Sequence, residues 1–242
     1  MNSVLWIPYC GPGATPADIL ARWNLDPILL AVLAAATLLI VLRRSGRARV
    51  LGLTGMAVLA IAFISPLCAL SSALFAARTV HHVLLVAVAA PLLAYSLPRR
   101  AVGPLALATA VQALVLWAWH GPAVYEAALS RDLVYWVMQT TILGSAVWFW
   151  MGVRQASAPA AVVALLAAMV AMGLLGALLT FISASLYAPH LLTTSVWGLT
   201  PIEDQQTAGL IMWAPAAALY LGAALVVLGR WIGPDRGEPH AA

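Results

Sequence analysis

Lysine is absent from this 242-residue chain, whose twelve basic residues are all arginine. With no lysine amine there is no Schiff base, and a retinal pump is excluded. Charge of either sign is scarce, at 8% of residues against 64% hydrophobic, whereas a soluble domain carries about a quarter charged residues. The chain belongs in lipid. No Walker motif is present, and the first 24 residues lack the positive start and continuous apolar core of a signal peptide.

What is present is a series of apolar runs, each long enough to cross about 30 Å of hydrocarbon as a helix of roughly 17 to 25 residues. They fall at 27–42, 50–70, 80–97, 104–120, 133–152, 159–186 and 201–229. The fold class is therefore all-α, a polytopic protein of seven transmembrane helices. Asp26 before Pro27 reads as an N-cap with proline at the first helical position. Thr200-Pro201-Ile202-Glu203 has capping-box spacing and starts the last helix. Pro66, Pro91 and Pro215 fall inside spans, where each should kink its helix and free a carbonyl that needs a partner.

Arginine orients the bundle. With the N-terminus outside and the C-terminus inside, Arg43, Arg44, Arg47, Arg49, Arg99, Arg100, Arg154, Arg230 and Arg236 are internal, and Arg22, Arg78 and Arg131 external. Nine against three obeys the positive-inside rule. Six of the eight acids lie outside, with Asp235 and Glu238 inside. The basic balance thus reports membrane orientation and implies no nucleic-acid partner. Trp23, Trp117, Trp119 and Trp136 fit an outer aromatic belt, and Trp148, Trp150 and Trp231 an inner one. Residues 1–24 read as an external segment, 25–230 as the transmembrane domain and 231–242 as a cytoplasmic tail.

Inner connections of about six or seven residues are too short to build a site, so function is sought outside. There Cys68 ends helix 2, His81 and His82 open helix 3, His120 closes helix 4 and His190 sits in the loop before helix 7, which itself offers Glu203, Asp204 and Met212. Imidazole, thiolate and thioether suit copper, and carboxylates could complete the shell. Each residue has a structural reading too. His81 and His82 point about 100° apart, so one faces the interior and the other the headgroups. His82 could simply hydrogen-bond between helices, His120 could join the tryptophan belt, and His190 beside Pro189 could be solvated. Glu203 serves the capping box, Asp204 complements its own helix dipole, and Met212 packs. Cys10 and Cys68 share the oxidising side, as a disulfide or as ligands. His240 is tail.

The chain resembles the multi-pass CtaG family of assembly factors for caa-type cytochrome c oxidase. The resemblance rests on Leu-Gly-Ala-Leu-Leu-Thr-Phe at 175–181, Leu-Tyr-Ala-Pro at 186–189 and Pro-Ile-Glu-Asp-Gln-Gln-Thr-Ala-Gly-Leu-Ile-Met-Trp-Ala-Pro at 201–215. Trp119 to Leu129, His82 to Leu85 and Pro91-Leu92-Leu93 add to it, so that it runs from about Trp23 to Leu225. It implies a multi-pass protein of the bacterial plasma membrane that acts without catalytic turnover. Its partners would be oxidase subunits and a periplasmic copper donor, and it would help copper reach the oxidase from the outer side. Similar proteins carry a histidine where this chain has Arg78, and a His-x-x-Glu-His pattern where it has Tyr135, Met138 and Gln139. The expected site is thus His82, His120 and the Glu203-Asp204 pair. Two alternatives remain: a haem-binding redox protein with His82 and His120 as axial ligands, and a transporter of small solutes or metal, although Gln112, Gln139 and some threonines are almost the only polar residues within the spans.

The arginine split predicts that a reporter fused after Arg44 reads as internal and one fused after Gly198 as external. The reverse pair of signals would overturn the orientation.

Overall fold

A computed structural model describes residues 8–233, and every regular element among them is helical. Besides three short 3-10 turns at Ile19–Ala21, Ala188–His190 and Ser195–Trp197, these are in order α1 (Pro27–Arg43), α2 (Gly46–Phe63), α3 (Leu67–Ala73), α4 (Phe75–Ser96), α5 (Leu105–Trp119), α6 (Pro122–Ser130), α7 (Asp132–Val153), α8 (Ala158–Phe181) and α9 (Pro201–Ile232). Asp235, Arg236, Glu238 and His240 lie outside the described residues, as does most of the expected tail.

Helices α2, α4, α8 and α9 are long and apolar enough to cross a membrane, and the bent α5–α6 pair makes a fifth candidate. The chain is a membrane protein. At 17 residues α1 is shorter, about 25 Å along its axis. Helix α7 has the length, with 22 residues, but Gln139, Thr140, Thr141 and its tryptophans lower its mean hydropathy.

Helix α4 occupies the middle, packed against α2, α7 and α9; α7 also meets α5 and α6, and α8 meets α5 and α9. At one end lie residues 8–25, α3, α6 and the segment 182–200. We call this the strap end, because residues 9–14 lie across it: Cys10 is disulfide-bonded to Cys68, Tyr9 stacks on Tyr135 at 5.0 Å, and the Trp197 indole donates to the Ala14 carbonyl at 2.9 Å. Closing a loop with a sequence separation of 58 stabilises by roughly 4 kcal/mol on the chain-entropy account. The opposite end, with short links at 44–45, 97–104 and 154–157, is the arginine end.

Several boundaries depart from expectation. The span placed at 50–70 ends at Phe63; Pro66 starts the separate helix α3, which contains Cys68, instead of kinking a continuous one. Helix α4 begins at Phe75, five residues before the expected start, so Arg78 is fully buried on it and is no external loop residue. The connection at 121–132 is largely the helix α6, bent 73° from α5 where Gly121 takes an extended backbone and Pro122 restarts the helix.

Capping explains the ends that were read correctly. The Asp26 carboxylate accepts from the Ile28 and Leu29 amides at 2.7 and 3.0 Å, and the Thr200–Glu203 capping box is fully formed. Pro91 acts as expected in freeing a carbonyl. Helix α4 is π-wound at 84–89, so the Ala90 amide bonds to the Leu85 carbonyl; the next partner in that register would be Pro91, which has no N–H, and the Val86 carbonyl takes the Trp150 indole at 2.8 Å. Trp150 is therefore buried and is not part of an interfacial belt. At the arginine end Arg154 donates to the Ala94 and Leu97 carbonyls at 2.6 and 3.1 Å, a cation on the negative end of the α4 dipole.

Helices α8 and α9 meet backbone to backbone. A Cβ on Gly176 would lie 2.7 Å from the Gly209 carbonyl oxygen, and one on Gly209 would lie 2.8 Å from the Thr180 nitrogen. Small residues allow this approach. Gly209→Ala should therefore lower the melting temperature in detergent, costing about 1–3 kcal/mol as overpacking does, whereas Gly222→Ala, with open space around it, should leave it unchanged. Equal melting of the two variants would refute this packing.

Candidate functional site

The site sits where α4 starts. Leu74 is extended and supplies no side-chain cap, so the first amides of α4 have no local partner. Asp204, fully buried on α9, takes them: its carboxylate accepts from the Phe75 amide at 2.7 Å and the Ala76 amide at 3.0 Å. The residue expected to complement its own helix thus caps another. Glu203, next to it, points outward and spends its carboxylate on the Thr200 amide and hydroxyl. The two acids do not form a pair.

Fixing the first turn of α4 aims Arg78, His81 and His82. All three are buried, against the expectation that one histidine would reach the headgroups. His81 meets Phe63 of α2 edge to face at 4.9 Å. His82 faces His120, with ring centroids 5.7 Å apart and planes at 78°. The two histidines meet although α5 packs on α7 and α8 rather than along α4. His120 ends α5, where its Nδ1–H donates to the Leu116 carbonyl at 2.7 Å and its own carbonyl accepts from the Tyr187 hydroxyl at 2.8 Å. That tautomer leaves His120 Nε2 as an acceptor. Both ring nitrogens of His82 lack a hydrogen-bond partner among the described residues.

Arg78 donates through Nε to the Ser71 carbonyl at 3.2 Å and lies over the Tyr135 ring at 5.4 Å, while its terminal nitrogens and the Gln139 amide have no partner among the described residues. The cation–π contact offsets part of the cost of burying the guanidinium. Among the described residues no acid forms an ion pair with it; the ion pair found there joins Arg22 and Asp18.

His190 is buried rather than solvated. Its Nδ1–H donates to the Ala73 carbonyl at 3.2 Å, and Nε2 accepts from the Tyr125 hydroxyl at 2.7 Å. Burial pushes its pKa down to about 3, so the ring stays neutral with both nitrogens engaged. Met212 is buried beside Gly176 at the α8–α9 contact. Cys68 is in the disulfide, and the Tyr135 hydroxyl lies 3.7 Å from Cys10 Sγ.

Of the expected metal-binding residues, His82 and His120 therefore face each other, while His190, Glu203, Asp204 and Met212 have other work. Among the described residues no group of three or more His, Cys, Asp or Glu is arranged to hold a metal ion. Sequence reasoning missed Tyr125, Tyr187 and Phe75, which stack around the histidines, with Phe75 on Tyr187 at 3.8 Å. It missed Gln205 as well, which accepts from the Leu186 amide at 2.8 Å and donates to the Ala184 carbonyl at 3.1 Å. Tyr125 and Gln205 stand inside runs that were already distinctive, the only signal available.

A family model described as the cytochrome c oxidase caa3 assembly factor (Caa3_CtaG) matches residues 99–233, more than half of the chain. The chain belongs to this family. Membership indicates a cytochrome c oxidase assembly factor and an association with that enzyme. The matched region holds His120, Tyr125, Tyr135, His190 and Asp204, and it starts after α4, so His82 and Arg78 lie outside it. No curated protein and no solved structure matches the chain.

The difference between the two acids is measurable. Asp204→Ala leaves two buried amides unpaired, at about 1–3 kcal/mol each, whereas Glu203→Ala removes only the glutamate half of a capping box, at about 1 kcal/mol. Thermal unfolding in detergent should show the larger loss for Asp204→Ala. Equal losses would refute its role in holding α4.

Proposed function

We propose that this caa3 assembly factor helps mature a metal centre of cytochrome c oxidase from the strap end, which the arginine distribution puts on the outer face. On this reading seven helices cross the bacterial plasma membrane: the candidate spans together with α1 and α7, the N-terminus outside. The observation behind it is the His82–His120 pair, two imidazoles buried edge to face, one with Nδ1 held by the Leu116 carbonyl. Burying such groups near lipid without a partner costs free energy and marks a functional site. Imidazole nitrogens suit copper, which here is cargo passed onward and not a resident cofactor.

The remaining residues bear on how firmly the cargo is held. The cysteines are tied in a disulfide, Asp204 is committed to α4, and Arg78 places a positive charge on the same face. Two nitrogens beside a guanidinium make a weak and reversible hold, as transfer requires. No turnover is involved, and neither the haem nor the transporter alternative gains an observation from the geometry.

A His82→Ala, His120→Ala double variant should accumulate normally in the membrane, fail to support oxidase maturation and lose the weak Cu(I) binding of the parent protein. Full oxidase assembly with copper binding unchanged would overturn the reading, leaving two histidines that only pack.

A further inference from the structure

A cleft of about 1030 Å³ runs between α1, α2 and α7, with the end of α4 at its floor and Phe63 between it and His81. Aliphatic side chains such as Leu33, Ala36, Leu59 and Leu143 line its length. Its mouths differ: Asp26 and Asp132 stand at the strap end, Arg43 and Arg44 at the other. Neither of these arginines has a carboxylate within ion-pair distance among the described residues. Helix α1 walls the cleft while burying only Leu29, and it is packed against α2. The cleft thus follows a helix about 25 Å long, close to the hydrocarbon thickness of a bilayer.

We propose that the cleft is a binding site for one anionic phospholipid, with its acyl chains along α1, α2 and α7 and its phosphate at Arg43 and Arg44. Charge decides the headgroup. Guanidinium groups hold phosphate through paired N–H donors, and basic pockets between spans on the cytoplasmic side select anionic lipids. A partner helix gives no reason for an unpaired arginine couple at one mouth.

Native mass spectrometry of the full chain, in detergent supplemented with phosphatidylglycerol or with phosphatidylcholine of the same acyl chains, tests this. One phosphatidylglycerol should remain bound at collision energies that strip phosphatidylcholine. Arg43→Gln with Arg44→Gln should weaken its retention about thirtyfold, taking each arginine's attraction at the usual value. Ala36→Trp, which fills the cleft and spares the arginines, should abolish retention. Equal retention of both lipids, or unaltered retention in either variant, would overturn the proposal. A photo-crosslinking residue at position 36 should add the mass of a lipid; crosslinking to a polypeptide, a second copy included, would overturn it as well.

Discussion

A transmembrane helix that cannot satisfy its own ends must be completed by its neighbours, and α4 is such a helix. Its first amides are taken by Asp204 of α9, its last carbonyls by Arg154 beyond α7, and the carbonyl left over at its π-wound middle by Trp150. Lipid offers no water to substitute for these partners. An acid at the N-terminus and a cation at the C-terminus also match the helix dipole. The position of α4, and with it the direction of Arg78, His81 and His82, is therefore set by residues far away in sequence.

Features local in sequence were legible. Asp26 with Pro27 and Thr200 with Glu203 are caps written within four residues, and both formed as read. The hydrophobic runs located a helix at each expected place and an all-helical membrane bundle, with four or five helices meeting the length and hydropathy of a span. What failed was tertiary. Arg78, His81 and His82 interrupt the apolar pattern, so hydropathy pushed the start of the helix past them; their burial depends on Phe63, Tyr135 and the disulfide-bound segment, none adjacent in sequence. Asp204 and Glu203 are neighbours of the same charge, yet one helical step of about 100° sends one inward and the other out.

The candidate site was half legible for the same reason. That His82 and His120 meet was expected from α4 and α5 as hairpin neighbours; they do meet, but α5 packs on α7 and α8, so only the rings at the strap end come together. That His190 does not join them follows from its hydrogen bonds to Ala73 and Tyr125, which no spacing rule reveals. The substitution of arginine for a histidine expected from similar proteins can now be given a physical setting: the guanidinium is accommodated by the Tyr135 ring and the Ser71 carbonyl. Tyr135 also stands at a position where a ligand was expected.

The capping of α4 by a residue 129 positions later has a consequence for biosynthesis. At about 5–20 residues per second, α4 leaves the ribosome roughly ten seconds before the helix that completes it. During that interval the amides of its leading turn stay open, because the carboxylate that takes them has not yet been made. The growing chain must therefore wait at the membrane with its third long helix unfinished, exposed to quality control until the last one arrives.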